Sequence, residues 1–243
     1  MNIKITIAYD GTRFSGWQIQ PGRDTVQGAL LCAIQKITGQ KVDVLASGRT
    51  DAGTHALAQV ANFHVTSAPT PASFRRALNG ALPRDVRIRR LEIVDEDFHA
   101  RRDALRKSYR YQIYTGPVVS PFEYRYYYHF TYDLEMAPMI EAARALLGEH
   151  DFTSFAAAAT TAKSAVRTLY RSEVRKVGYR LFYQVEGNGF LQHMVRNIVG
   201  TLLEVGTGKR KPYSMANLLK ARDRRMAGPT APSQGLFLVR VKY

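Results

Sequence analysis

Apolar and polar positions alternate at the start of the chain, where Ile3, Ile5 and Ile7 are separated by Lys4 and Thr6. A period of two predicts a strand with one buried face. The period then lengthens: Val26, Ala29, Leu30, Ala33, Ile34 and Ile37 recur at helical spacing. Thr25 stands before them as an N-cap, and Gly39 can close the helix in the left-handed conformation. Strands are predicted over 42–46 and 58–65. They flank Ser47-Gly48-Arg49-Thr50-Asp51-Ala52-Gly53-Thr54-His55, whose two glycines and central acid mark a loop and the first place to look for function. A second helix over 73–82 and a strand over 86–94 complete this half.

Beyond Arg101 the pattern restarts. Strands are predicted over 108–114 and 125–130, separated by the breakers Gly116, Pro117 and Pro121. A helix from 135 to 147 ends at Gly148, strands follow over 169–177 and 180–186, and another helix opens near Gly189. The order strand-helix-strand-strand-helix-strand, roughly twice, predicts an α+β fold of two similar halves, 1–105 and 106–243. Their sheets should be antiparallel or mixed, flanked by helices, with a catalytic cleft between the halves. Low complexity is confined to the alanine-rich stretch 156–162, which reads as a flexible connection.

Charge changes the picture most. The 243 residues carry 35 Lys and Arg against 20 Asp and Glu, a formal net charge of +15. Basic residues recur along the whole chain, where a membrane-surface protein would gather them on one amphipathic helix. Cations that neutralise phosphates gain counterion-release free energy, so a nucleic acid is the expected partner. Lys209 to Arg225 holds seven basic residues and one acid, Asp223, more bias than a solvated helix face needs. Cys32 is the only cysteine and can close no intrachain disulfide. No apolar run suits a signal peptide or membrane span. A cytoplasmic setting is expected.

Candidate chemistry narrows by elimination. Gly-x-x-x-x-Gly-Lys-Ser/Thr, Gly-x-Gly-x-x-Gly and Gly-x-Ser-x-Gly are all absent, as are metal-ligand pairs of Cys-x-x-Cys or His-x-x-x-His spacing. What remains is carboxylate, arginine and tyrosine chemistry. Asp51 can act as nucleophile or general base without a metal if a guanidinium holds it ionised. It can equally form an Asx-turn onto Gly53. The helix from Gly189 presents Leu191, Val195, Ile198, Val199 and Leu202 on one face and Gly189, His193, Arg196, Asn197 and Gly200 on the other. Gly200 in mid-helix implies close approach by another backbone or a ligand, and His193 reads as a structural hydrogen-bonding residue. Tyr109 and Tyr111, then Tyr124 and Tyr126 to Tyr128, suit strand packing, or base stacking where one is accessible.

Six ordered motifs run the length of the chain. They are Tyr9-Asp10-Gly11-Thr12-x-Phe14-x-Gly16-Trp17-Gln18; Gly48-Arg49-Thr50-Asp51-Ala52-Gly53-x-His55; Phe98-His99-Ala100-Arg101; Lys107-x-Tyr109-x-Tyr111; Gly187-Asn188-x-Phe190-Leu191-x-His193-Met194-Val195-Arg196-Asn197-Ile198-Val199-Gly200; and Gly235-Leu236-x-Leu238-x-x-Val241-x-Tyr243. Together they resemble the tRNA pseudouridine synthase A (TruA-like) family. The resemblance implies a pseudouridine synthase fold, a homodimer that grips the anticodon arm of tRNA, and isomerisation of uridine to pseudouridine at tRNA positions 38, 39 and 40. It implies Asp51 as catalytic aspartate, Tyr109 stacking on the target base and Arg196 paired with the aspartate across the cleft. Arg49, His55 and Asn197 would join Tyr109 in binding substrate. No metal, redox cofactor or nucleotide is implied. Thr54 departs from the aliphatic residue of the family pattern, Arg102-Asp103 from an aromatic-small pair, and Ala165 from a proline. The competing classes are a noncatalytic tRNA-binding protein or RNA chaperone, which would not need Asp51, and a metal-dependent nuclease, which would need clustered carboxylates.

Overall fold

The computed structural model describes residues 1–157 and 163–243. Residues 158–162 of the expected alanine-rich connection lie outside the described residues. The chain forms two compact units, Met1–Leu105 with Phe237–Tyr243, and Arg106–Leu236. In chain order the elements run β1 (Asn2–Tyr9), α1 (Val26–Thr38), β2 (Leu45–Ala46), β3 (His55–His64), α2 (Pro71–Ala81) and β4 (Val86–Val94). They continue with β5 (Arg106–Tyr114), β6 (Tyr128–His129), α3 (Met136–Arg144), β7 (Gly148–Asp151), β8 (Val166–Val177), β9 (Arg180–Gly187), α4 (Met194–Gly206), α5 (Ser214–Ala221) and β10 (Leu236–Lys242).

In the first unit β1 lies between β4 and β3, antiparallel to both. The final strand β10 pairs with β3 in parallel; the sequence pattern had assigned that strand to the second half. Ile3, Ile5 and Ile7 are buried as their alternation requires, and they share the core with Val26, Leu30 and Ile34 of α1 and Phe74 and Leu78 of α2. Helix α1 starts where expected, with the Thr25 side chain accepting from the Gly28 amide at 3.2 Å. It ends at Gly39, φ 73°, whose N–H donates to the Gln35 carbonyl. The strand expected over 42–46 shortens to two residues, because Gln27 takes the Val44 carbonyl at 3.0 Å.

The second unit is also α+β, with antiparallel pairs β5–β9, β9–β8 and β8–β7 and the short β6 parallel to β5. Gly178 at φ 57° makes the two-residue β8–β9 connection possible. The repeated element order holds only in the first unit. Here β7, a polar Gly-Glu-His-Asp strand, has no hydrophobic signature, and α5 is masked by the basic run that contains it. The strand expected over 125–130 reduces to β6, because residues 120–126 close on themselves through Glu123→Ser120 and Tyr126→Glu123 backbone bonds. Among the described residues no helix is long and apolar enough to cross a membrane.

The helix expected from Gly189 begins at Met194, because His193 sits in the left-handed region at φ 62° and breaks the winding. Nor is α4 two-faced. Asn197, Gly200 and Thr201 are as buried as Ile198 and Leu202, so the helix is enclosed on most sides. Gly200 has its reason in a main-chain approach: a Cβ there would lie 1.7 Å from the Pro229 carbonyl oxygen.

Candidate active site

In the first unit the loop before β3 carries Asp51, and its shape is imposed from below. Gln59, fully buried in β3, accepts from the Ser47 hydroxyl at 2.7 Å and donates to the Gly48 carbonyl at 2.8 Å. The Tyr9 and Thr50 hydroxyls lie 2.8 Å apart. Burial pushes the Tyr9 phenol up to about 12, with hydrogen bonds to Thr50 and Gln59 opposing the shift. The Trp17 amide donates to the Thr50 carbonyl at 3.0 Å, the Gly53 amide to the Phe14 carbonyl at 3.2 Å, and the Thr54 amide to the Asp51 carbonyl at 3.1 Å. Two glycines permit this closeness. A Cβ on Gly11 would meet the Thr54 carbonyl oxygen at 2.0 Å, and Gly16, at φ 92°, would meet that of Thr50 at 2.8 Å. The first motif is therefore the bed on which the aspartate loop rests.

On that bed Asp51 is half-buried and Arg49 exposed. His55 is buried, its ring stacked on Phe237 with centroids 4.6 Å apart. Its Nδ1 lies 3.0 Å from the Gly11 amide nitrogen and 3.1 Å from Asp10 Oδ1, and cannot both accept from one and donate to the other. The buried Gly11 amide takes Nδ1 as its acceptor, and Asp10 Oδ1 accepts from the Thr12 amide at 3.0 Å. His55 therefore lies under the loop, between the first motif and β10. The third motif is tied down similarly: buried Asn62 donates to the Phe98 carbonyl at 3.2 Å and accepts from the Ala100 amide at 2.9 Å. Arg101 remains exposed.

In the second unit Tyr109 stands in β5 opposite Val185, nearly buried and edge-on to Phe190 at 4.9 Å. Arg196, in the first turn of α4, donates from Nε to the Ala231 carbonyl at 2.7 Å, and its own carbonyl accepts the Ala231 amide at 3.2 Å. Burial raises the Tyr111 phenol, and the charge of Arg196 opposes that rise. Asn197 follows directly on α4. Fully buried, it donates to the Phe155 carbonyl at 2.7 Å and its oxygen accepts from Thr230 and Arg224. Both ends of its amide are engaged within the chain.

The basic run is partly paired within the chain. Arg210 pairs with Glu204, Arg222 with Asp151 and Arg225 with Asp223, and Arg224 bonds main-chain carbonyls. Lys209 and Lys211 are exposed. Tyr9, Gln59 and Thr230 have no role in the sequence reading; the available signal is a polar side chain inside an apolar strand for Gln59.

One α+β unit thus carries a carboxylate on a braced loop, the other an arginine on a buried helix, in a chain of formal net charge +15. The sequence pattern of the family described as tRNA pseudouridine synthase matches residues 5–103 and 142–243. The chain belongs to that family and is an isomerase that converts uridine to pseudouridine in tRNA. It is similar to proteins named tRNA pseudouridine synthase A from Geobacillus kaustophilus, at 49% identity over 99% of this chain and 94% of that protein. Those of Solibacter usitatus, 49% identical, and Brevibacillus brevis, 47% identical, match over 99% of both chains.

Proposed function

We propose that the chain modifies tRNA positions 38, 39 and 40 in the anticodon arm, as a cytoplasmic homodimer that grips tRNA between its subunits and needs no metal, redox cofactor or nucleotide. Asp51 is the catalytic carboxylate in this reading. Arg196 supplies the guanidinium that holds it, Tyr109 stacks on the target base, and Arg49 helps keep that base out of its helix.

One observation carries the reading, the bracing of the Asp51 loop by Tyr9, Trp17, Phe14 and Gln59. An Asx-turn onto Gly53 needs no such scaffold, and the Gly53 amide already donates to Phe14. A carboxylate that must meet a reacting atom does need it, because small misplacement costs rate steeply. The reaction itself breaks the C1′–N1 bond, turns the uracil and forms C1′–C5. The proton on C5 is lost, and N1 ends as N–H.

Tritium release from tRNA labelled at uracil C5 tests the assignment. Asp51→Ala and Asp51→Asn should abolish release while leaving tRNA affinity nearly unchanged, since the carboxylate attracts no phosphate. Residual turnover within about tenfold of wild type, only ~1.4 kcal/mol of barrier, would refute it.

A further inference from the structure

Arg224 belongs by sequence to the basic run, yet its guanidinium is spent inside the protein. Nη1 donates to the carbonyls of Ala227 at 3.3 Å and Gly228 at 3.0 Å. Nη2 donates to Asn197 Oδ1 and to Thr230 Oγ1, both at 3.1 Å. The Thr230 hydroxyl closes the ring by donating to Asn197 Oδ1 at 2.6 Å. Each partner in the ring has a telling neighbour. Asn197 directly follows Arg196 on α4, and Thr230 directly precedes Ala231, whose carbonyl receives Arg196 Nε and whose amide returns to the Arg196 carbonyl. The same segment is fixed once more by the Gly228 amide donating to Thr201 Oγ1 at 3.0 Å.

We propose that Arg224, acting through Thr230 and Asn197, is a positioning residue for the guanidinium of Arg196, and that its charge is not part of the RNA-binding surface. The proposal rests on the reading of Arg196 as the partner of Asp51. Its physical basis is the number of acceptors served. A planar guanidinium can span two carbonyls, an amide oxygen and a hydroxyl at once, whereas an ammonium directs three donors from a single point. With the ring intact, the Ala231 carbonyl is held at a fixed distance from α4, and Arg196 Nε is held with it. With the ring broken, segment 227–231 can drift and Arg196 loses its fixed orientation while keeping its charge.

The test separates a rate effect from a binding effect. Thr230→Val keeps the side chain's shape and removes the hydroxyl, and Arg224→Lys keeps the charge. Single-turnover rates at saturating enzyme, normalised to the tRNA-binding fraction of each preparation, should fall by about tenfold or more for both variants, with the tRNA Kd changed less than about twofold. The slope of log Kd against log salt should be unchanged in Arg224→Gln, where loss of one phosphate contact would lower it by about one. A structural role alone is distinguished by a double-mutant cycle. In an Arg196→Lys background, Thr230→Val should cost less than about twofold further, because the residue it positions is already gone. Unchanged rates in Thr230→Val, a slope that falls by about one in Arg224→Gln, or additive losses in the cycle would each overturn the proposal. A harmless Arg196→Lys would instead remove the reading of Arg196 itself, and the proposal with it. Thr230→Val, the milder change, decides the matter if the Arg224 variants do not fold.

Discussion

Replacing Gly200 by alanine sets two physical rules against each other. Helix propensity alone favours the change, by about 1 kcal/mol in a helix interior. Packing opposes it, because the new Cβ would lie 1.7 Å from the Pro229 carbonyl oxygen, a main-chain atom that cannot rotate away. Contact distances of real Cβ atoms require that oxygen to retreat by more than about 1 Å. The retreat loosens four bonds between segment 227–231 and α4: Gly228 to Thr201, Thr230 to Asn197, Ala231 to Arg196, and Arg196 to Ala231. At about 1 kcal/mol net for each bond, less the propensity gain, Gly200→Ala should destabilise by about 3 kcal/mol. For a chain of this length that lowers Tm by about 6–12 °C. Differential scanning calorimetry of the two proteins, with tritium release below both transitions, is the assay. A Tm equal to or above wild type would refute the reasoning, since the propensity gain would then have met no packing cost. Unchanged turnover in a destabilised variant would show that segment 227–231 moves without disturbing Arg196.

Three further outcomes are expected. Thr54 is buried with no hydrogen-bond partner for its hydroxyl among the described residues, so Thr54→Val should stabilise the protein by about 1 kcal/mol, read as a higher denaturant midpoint. Charge reversal at Lys209 and Lys211 should flatten the salt dependence of tRNA binding if they meet phosphates, and the same change at Arg210 should lower Tm because Arg210 pairs with Glu204. Tyr9 has a folded pKa of about 12 against 10.0 for the free phenol; the raised value means its stabilisation is complete below pH 10 and lost as pH rises through 12. That shift amounts to at most about 3 kcal/mol, so Tyr9→Phe, though less stable at neutral pH, should lose less stability than wild type between pH 9 and pH 12 in urea titrations.

Local pattern proved most legible where one face of an element is buried and the other is not. The alternation of Ile3, Ile5 and Ile7 and the cap pair Thr25 and Gly39 appear in the structure as the residues predict. Pattern failed where the burial was two-sided or absent. Helix α4 carries polar residues inward, where Asn197 and Thr201 find partners, on the face whose Gly200 had signalled a close approach. Strand β7 is polar throughout and has no apolar face to announce it. Charge misled in the same way. A run of basic residues says nothing about which guanidiniums are already spent, and Arg224 differs from Lys211 only through residues that lie next to each once the chain has folded.

The loop of Asp51 and the helix of Arg196 share one method of construction. Each presents a charged side chain, and each is fixed chiefly through its main chain. The Thr50 and Asp51 carbonyls and the Gly53 amide are bonded in the loop; the Arg196 carbonyl, with the Ala231 carbonyl that takes its Nε, is bonded at the helix. In both places a glycine lets a neighbouring carbonyl approach within the space a Cβ would occupy, Gly11 under Thr54 and Gly200 under Pro229. Main-chain fixation sets the path of the segment that carries each charged side chain. It also explains why the motifs contain so many residues with no chemistry of their own. Gly16 and Trp17 touch the backbone beside Asp51, Tyr9 the Thr50 hydroxyl, Gly11 the Thr54 carbonyl and Gly200 the Pro229 carbonyl, and a change at any of them should act on rate through geometry while leaving the charges, and hence the attraction for RNA, intact.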